Sequence, residues 1–252
     1  MNRRHFLLAF VAAVPAAAAE DGRQIVEESQ RRTRANSERY QGVLEVISAN
    51  SKVVKKSWEY TRIGSFGSSK AVIAFTAPAE VKGVALLIVN HPDRSSDQWM
   101  WTPAIERDRR IALQDRSTRF FGTDFSFEDL EERDVNQYNY RLTGEEAFDG
   151  AMSWRIEARP RESKVSQYSS VQMWIRKDNY VPVQYDNFVK DQLVRRLRQS
   201  DIQKVQDIWT PRLLEMNDVR RNSRTVLRIQ KLEYNVPLSD GDFTVQALGR
   251  KG

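Results

Sequence analysis

The sequence predicts a mainly β protein, built on a strongly curved antiparallel sheet or incomplete β-barrel of about ten or eleven strands. Segments of alternating apolar and polar residues recur between Tyr40 and Ile229, and this is the period of a strand with one buried face. Turns rich in Gly, Pro and polar residues separate them. Only one long helical pattern occurs, close to the N-terminus. These observations together favour an open, curved all-β architecture with few helices.

Residues 1–19 have the pattern of a signal peptide. Arg3 and Arg4 form a positive start, an apolar stretch follows, and Ala17–Ala19 provide small residues for cleavage before Glu20. The two arginines also fit a twin-arginine export signal. The chain has no cysteine, which excludes disulfides and a lipid-modified cysteine anchor. We therefore expect an exported, unanchored periplasmic protein with one domain over residues 20–252.

The mature chain begins with a predicted helix over residues 21–37. Asp21 can cap it, and Ile25, Val26 and Ser29 share one face. Arginines on the opposite face are expected to lie in water.

The strand pattern starts after this helix. Residues 84–89 are apolar on both sides, which predicts cover on both faces of that strand. The other strands alternate and are marked by the apolar pairs or triplets Leu44/Val46, Trp58/Tyr60, Ile73/Phe75, Tyr138/Tyr140/Leu142, Met152/Trp154/Ile156, Val171/Met173/Ile175, Val183/Tyr185, Leu214/Met216 and Thr225/Leu227/Ile229.

The stretch from Gln98 to Leu130 departs from this pattern. Trp99 and Trp101 share one face of a strand that breaks at Pro103. A basic arm with Arg107, Arg109 and Arg110 follows. The sequence FGTDFSFEDL over residues 121–130 then combines a glycine turn with an acidic helix start.

These motifs resemble outer-membrane lipoprotein-sorting proteins, relatives of the periplasmic carrier LolA. The family pattern combines an aromatic-x-x-Pro strand end, an Arg-Arg-Ile arm and a segment FGSDFSYEDL. The present sequence has Thr123 for the serine and Phe127 for the tyrosine. The similarity extends from Pro78–Leu87 to Asp240–Thr244, close to the whole mature chain.

The resemblance implies a half-barrel whose hydrophobic cavity holds lipid or lipoprotein acyl chains, covered by the N-terminal helix and short lid helices. The aromatic and aliphatic residues predicted to line this cavity are Trp58, Tyr60, Ile73, Phe75, Leu86, Trp99, Trp101, Trp154 and Ile156. Under an alternative interpretation, the tryptophans lie on the packed side of the sheet.

Residues 121–130 are predicted to form a lid that is hinged at Gly122 and docked through Phe121, Phe125 and Leu130, with a rigid corner as the alternative. Arg107, Arg109 and Arg110 are expected at the rim, where they can meet a lipid phosphate or an acidic partner.

Other function classes find little support in the sequence. His91 is the only histidine after the signal, and neither a G-x-S-x-G elbow nor a glycine-rich phosphate loop occurs. We expect no enzyme activity, no metal and no cofactor. The net charge of +6 comes without a recognition motif, which argues against nucleic acid.

The sequence thus predicts a monomeric carrier of lipid or lipoprotein acyl chains that contacts membranes transiently and passes cargo between them or to a membrane-embedded export or acceptor complex. The alternative is a periplasmic sensor or adaptor of the same fold that binds a lipidated or unfolded ligand.

Overall fold

The computed structural model describes residues 17–164 and 166–249. Most of the predicted signal peptide therefore lies outside the described residues. The regular elements within these ranges are α1 (Ala17–Thr33), β1 (Ser37–Ile47), β2 (Val53–Ser65), β3 (Ser68–Ala77), β4 (Ala85–Val89), β5 (Asp97–Thr102), β6 (Arg107–Arg110), β7 (Tyr138–Phe148), β8 (Ala151–Pro160), β9 (Ser170–Arg176), β10 (Pro182–Val189), β11 (Gln192–Val205), β12 (Ile208–Asp218), β13 (Ser223–Tyr234) and α2 (Val245–Leu248).

The thirteen strands form one antiparallel sheet in the order β6-β5-β4-β3-β2-β1-β13-β12-β11-β10-β9-β8-β7. The sheet is not closed into a barrel, and the predicted fold class is confirmed. The prediction of ten or eleven strands was slightly low. Short β6 explains part of the difference, because its residues are all exposed and carry no apolar face.

The chain order explains how the sheet acquires a covered face. From β1 in the middle, hairpins lead outwards to β6 at one edge. Residues 111–137, here called the crossing segment, then pass to β7 at the opposite edge, and hairpins return to β13 beside β1. The crossing segment contains the FGTDFSFEDL sequence and the short 3₁₀ helix Glu128–Leu130. It therefore lies against one face of the sheet, here called the inner face.

Two buried clusters lie on the inner face. The first joins β1–β4 and β13 to the crossing segment, through residues such as Trp58, Phe75 and Phe120. The second joins β7–β11 to α1, and its members include Val26, Ile156 and Met173.

A third cluster lies on the other, outer face. There Val72, Ala85 and Leu87 of β3 and β4 pack against Phe243 and Leu248 near the C-terminus. Strand β4 is thus covered on both faces, as its sequence predicts.

Helix α1 ends four residues earlier than predicted. Ala35 is buried in the first cluster, and its backbone N and O are bonded to Ser65 Oγ at 3.2 and 2.6 Å. Ser37 already belongs to β1. The described helix also extends back to Ala17, so Asp21 lies within it.

Candidate functional site: a cavity on the inner face

A cavity of about 400 Å³ lies on the inner face between the two buried clusters. Its walls come from the sheet, from α1 and from residues 125–133 of the crossing segment. Most of the lining is apolar, and the aliphatic and aromatic residues that contribute to it include Val26, Ile73, Phe125, Leu130, Met173, Ile175, Leu197, Leu214, Met216, Leu227 and Ile229.

Helix α1 closes one side of the cavity because its apolar face packs on the sheet. Gly22 allows a close approach to β7: a Cβ there would lie 2.8 Å from Leu142 N. Ser29 Oγ donates to Tyr180 O at 2.7 Å, and Gln30 Nε2 donates to Arg133 O at 3.0 Å. The predicted wet face is confirmed, since Arg31 and two further arginines are exposed.

The crossing segment is held to the sheet by the buried carboxylate of Asp124. Thr225 Oγ1 donates to Asp124 Oδ2 and accepts from Asp124 N, both at 2.8 Å. Ser223 Oγ donates to Asp124 Oδ1 at 2.5 Å, and Arg119 Nη2 donates to the same oxygen at 2.8 Å. This network ties the FGTDFSFEDL sequence to β13.

A second buried carboxylate ties the segment to the other half of the sheet. Tyr168 Oη donates to Asp129 Oδ1 at 2.8 Å and accepts from Arg195 Nη1 at 2.8 Å. Ser126 Oγ donates to Asp129 Oδ2 at 2.7 Å. Because Asp124 and Asp129 anchor the segment at two separated points, these contacts favour the rigid-corner alternative. A hinge at Gly122, whose φ is +74°, stays a prediction.

Several polar groups border the cavity. Glu38 and Glu132 share Arg62, with nitrogen–oxygen distances of 2.8 and 3.4 Å, and burial raises the pKa of Glu38 in spite of this partner. Burial also raises the pKa of Tyr60 well above its usual value and that of Tyr185 to about 12. These shifts reflect the burial of both phenols among apolar groups of the lining.

The structure brings only part of the predicted cavity residues together. Trp58, Tyr60 and Ile73 line the cavity. Two others, Phe75 and Leu86, lie on the same face but belong to the first buried cluster, where Phe75 stacks on Phe120.

The two predicted residues of β8 are packed elsewhere on the inner face. Trp154 lies against Tyr180, and Ile156 is buried in the second cluster.

Trp99 and Trp101 were placed on the wrong face. In β5, Met100 is opposite Leu86, whereas Trp99 and Trp101 are opposite Leu87 and Ala85. Directly opposed residues of antiparallel strands share a face, so both tryptophans lie on the outer face. There they pack on the cluster that contains Phe243 and Leu248, as the alternative interpretation had it.

The predicted rim arginines lie on the edge strand β6, and none of them lines the cavity. All three are exposed. Arg109 is 3.6 Å from Asp115, while Arg110 pairs with Asp97 and lies 5.9 Å from the Trp99 ring. The three arginines therefore lie along the sheet edge, and the structure does not place them at the cavity wall.

Several lining residues were missed by the prediction. Tyr138, Tyr140, Leu214, Met216 and Ile229 all line the cavity. They carry the same signal as Trp58 and Tyr60, an apolar or aromatic alternation within a strand, and could have been included on that ground. Arg133 has no such signal in the sequence.

His91 lies in the loop before β5, where its Nε2 is 3.0 Å from Asp97 Oδ2. Among the described residues, no cluster of three His, Asp or Glu side chains could hold a metal ion. None of the helices in the described ranges is long and apolar enough to cross a membrane.

The sheet order, the inner cavity and the covering helix define a LolA-like fold, which confirms the resemblance seen in the sequence. A family model described as "Uncharacterized protein" matches residues 67–250. The chain belongs to that family. No curated protein matches it.

Three solved structures illustrate the similarity. A domain assigned by its name to outer membrane lipoprotein sorting, from Vibrio parahaemolyticus, has a TM-score of 0.87 at 24% identity, covering 92% of this chain and 100% of that one. A DUF1329 family protein from Desulfovibrio piger has a TM-score of 0.87 at 29% identity, covering 92% and 99%. A LolA superfamily protein from Nitrosomonas europaea has a TM-score of 0.70 at 18% identity, covering 89% and 98%.

Proposed function

We propose that this protein is a periplasmic carrier that binds acyl chains of a lipid or lipoprotein in the inner-face cavity and transfers them to a membrane or a membrane-embedded acceptor. The observation that carries the proposal is the cavity itself, which is apolar for most of its lining and bordered by α1 and the crossing segment. The name of the Vibrio parahaemolyticus domain, which refers to lipoprotein sorting, supports the same class of function.

The energetics of such a carrier require a cover that moves. Each buried methylene is worth about 0.8 kcal/mol relative to water, but a membrane buries it equally well. A carrier must therefore release its cargo when it meets an acceptor. Helix α1 is the better candidate for the moving cover, since it is joined to the body by few side-chain hydrogen bonds, such as Ser29 to Tyr180. The crossing segment is anchored by buried carboxylates.

The carrier is proposed to act after export as a monomer without enzymatic activity. Cleavage before Glu20 would leave most of α1 in place. N-terminal sequencing of the protein from a periplasmic fraction tests export and cleavage before Glu20. Recovery of the full-length chain in the cytoplasm would contradict both. The exposed arginines of β6 offer positive charge for transient contact with an anionic membrane.

A filled cavity provides the most direct test of binding. Leu214 of β12 lines the cavity, whereas its neighbour Leu213 points to the other face of the same strand. Leu214→Trp should reduce the uptake of a fluorescent fatty acid at least tenfold, because the indole occupies space that the chain needs. Leu213→Trp is the matched control and should bind as the parent does.

Two results would contradict the proposal. One is a parent protein, freed of bound lipid by denaturation and refolding, that takes up no fatty acid. The other is a Leu214→Trp variant that keeps the parent circular dichroism spectrum and still takes up the fatty acid normally.

A further inference from the structure

The mainly apolar lining of the cavity includes a positively charged side chain, that of Arg133. Among the described residues that line it, Arg133 is the only arginine or lysine. Arg133 follows the 3₁₀ helix of the crossing segment, and its backbone O accepts the hydrogen bond from Gln30 of α1. Arg133 thus lies where the crossing segment, α1 and β10 meet.

Aromatic rings and one amide hold this guanidinium in place. Arg133 Nη2 donates to Asn187 Oδ1 at 3.2 Å. The guanidinium carbon lies 5.8 Å from the centre of the Tyr168 ring and 5.9 Å from that of the Tyr185 ring, within the range of cation–π attraction. These contacts fix its direction but use few of the five N–H donors that a guanidinium carries.

The carboxylates that border the cavity have other partners. Glu38 and Glu132 are paired with Arg62, and Glu131 with Arg116. Asp129 accepts from Tyr168 and lies 3.5 Å from Arg195. Within the described ranges, no Asp or Glu oxygen lies within 4.0 Å of the Arg133 guanidinium.

We propose that Arg133 binds the oxyanion of an anionic amphiphile, a carboxylate or a phosphate, whose acyl chain fills the cavity. A guanidinium in a partly desolvated site forms strong charge-assisted hydrogen bonds with such oxygens. The inference rests on the proposed carrier function. It narrows the cargo to amphiphiles with an acidic group, because acyl chains joined through neutral ester and amide bonds offer no charge to Arg133.

The size of the cavity agrees with such a ligand. Its volume of about 400 Å³ lies towards the lower end of the range of small-molecule pockets, roughly 300–1,000 Å³. The cavity in this form therefore suits one amphiphile of modest size. The competing role for Arg133 is purely structural, as a countercharge to the nearby buried acids Glu128 and Asp129.

Ligands with the same acyl chains, with and without an acidic group, separate these roles. Dodecanoic acid is compared with methyl dodecanoate, and dioctanoyl phosphatidic acid with dioctanoylglycerol, by displacement of a neutral fluorescent lipid from the purified protein. The first pair tests a carboxylate and the second a phosphate. The variants are Arg133→Gln, Arg133→Lys and, as a control, Arg198→Gln, since Arg198 also lies over a ring, that of Phe148, but outside the cavity.

The parent should prefer the acid in at least one pair by about tenfold or more, equivalent to about 1.4 kcal/mol. Arg133→Gln should bring that ratio to within about threefold of one while neutral ligands bind as before. Arg133→Lys should retain part of the preference, and Arg198→Gln all of it.

Equal binding of charged and neutral ligands by the parent would overturn the inference and leave the carrier function standing. A failure of all four ligands to bind the parent would overturn the carrier function itself. If Arg133→Gln does not fold, the inference is tested by two measurements instead. The parent must prefer the acid over the neutral ligand, and Arg133→Lys must show a smaller preference. A folded Arg133→Gln that keeps the parent preference would assign Arg133 the structural role.

Discussion

Replacing Asp124 with alanine tests whether the crossing segment is a fixed part of the fold. The side chain is fully buried and accepts hydrogen bonds from Ser223, Thr225 and Arg119. Asp124→Ala removes the acceptor and leaves Arg119, mostly buried, without its carboxylate. Removing one partner from a buried ion pair typically costs about 3–5 kcal/mol. We expect a loss of that size in the free energy of unfolding.

Thr225→Val should cost less. It removes a hydroxyl that donates to the Asp124 carboxylate and accepts from Asp124 N, but leaves the other two donors in place. A buried group that loses its partner costs about 1–3 kcal/mol. The double variant should lose less than the sum of the single losses, because both substitutions disrupt one interaction.

Urea unfolding followed by circular dichroism measures these values. Asp115→Ala is the control, since Asp115 belongs to the same segment but its side chain, among the described residues, forms one exposed contact of 3.6 Å with Arg109. The free energy of unfolding of this control should fall by no more than about 1 kcal/mol. If Asp124→Ala loses no more free energy of unfolding than this control, the crossing segment is not anchored by Asp124. A lid hinged at Gly122 would then explain the segment better.

Four further outcomes follow from the structure. Trp101→Glu should destabilise the packing on the outer face and leave fatty acid binding to the folded fraction unchanged; a stable variant that no longer binds would return Trp101 to the cavity. His91→Ala should bind within about threefold of the parent, or roughly 0.6 kcal/mol, and a larger loss without unfolding would reopen an enzymatic role. The pKa of Asp97 lies below its ordinary 3.8, chiefly because Arg94 donates a hydrogen bond to its carboxylate. The ionised Asp97 therefore stabilises the fold fully above that pH, and this stabilisation is lost as the pH falls further. Asp97→Asn should make the free energy of unfolding less dependent on pH in the acid range, and an unchanged dependence would contradict this. Hydrogen exchange should find the amides of residues 120–129 protected with and without lipid and those of α1 changed by lipid; the reverse would identify the crossing segment as the lid.

Strand identity could be predicted from the sequence because alternation is a local property. Residues 84–89 show the limit of that signal. Their two apolar faces correctly indicate cover on both sides, but they do not say which cover lies where. The cover of the outer face comes from Phe243 and Leu248, more than a hundred residues later. The sheet face on which Trp99 and Trp101 lie is set by the pairing register of β5 with β4, which the sequence does not show.

The candidate site was predictable only where a lining residue is apolar and belongs to an alternating strand. Trp58, Tyr60 and Ile73 meet this condition and line the cavity. Arg133 does not, because its position depends on how residues 111–137 cross the sheet. In sequence it stands beside Glu131 and Glu132 as one charge of a polar run, and only the packing against Tyr185 gives it a distinct environment.

Labelling with a photoreactive fatty acid shows where the acyl chain binds. The parent protein is irradiated with a fatty acid that carries a diazirine near the end of its chain, and the labelled peptides are mapped by mass spectrometry. If the chain lies in the inner-face cavity, we expect label on peptides that contain Leu214, Met216 and Ile229, and loss of that label in Leu214→Trp. Label confined to outer-face peptides with Trp99 and Trp101, or no label above that of an unrelated protein, would contradict it.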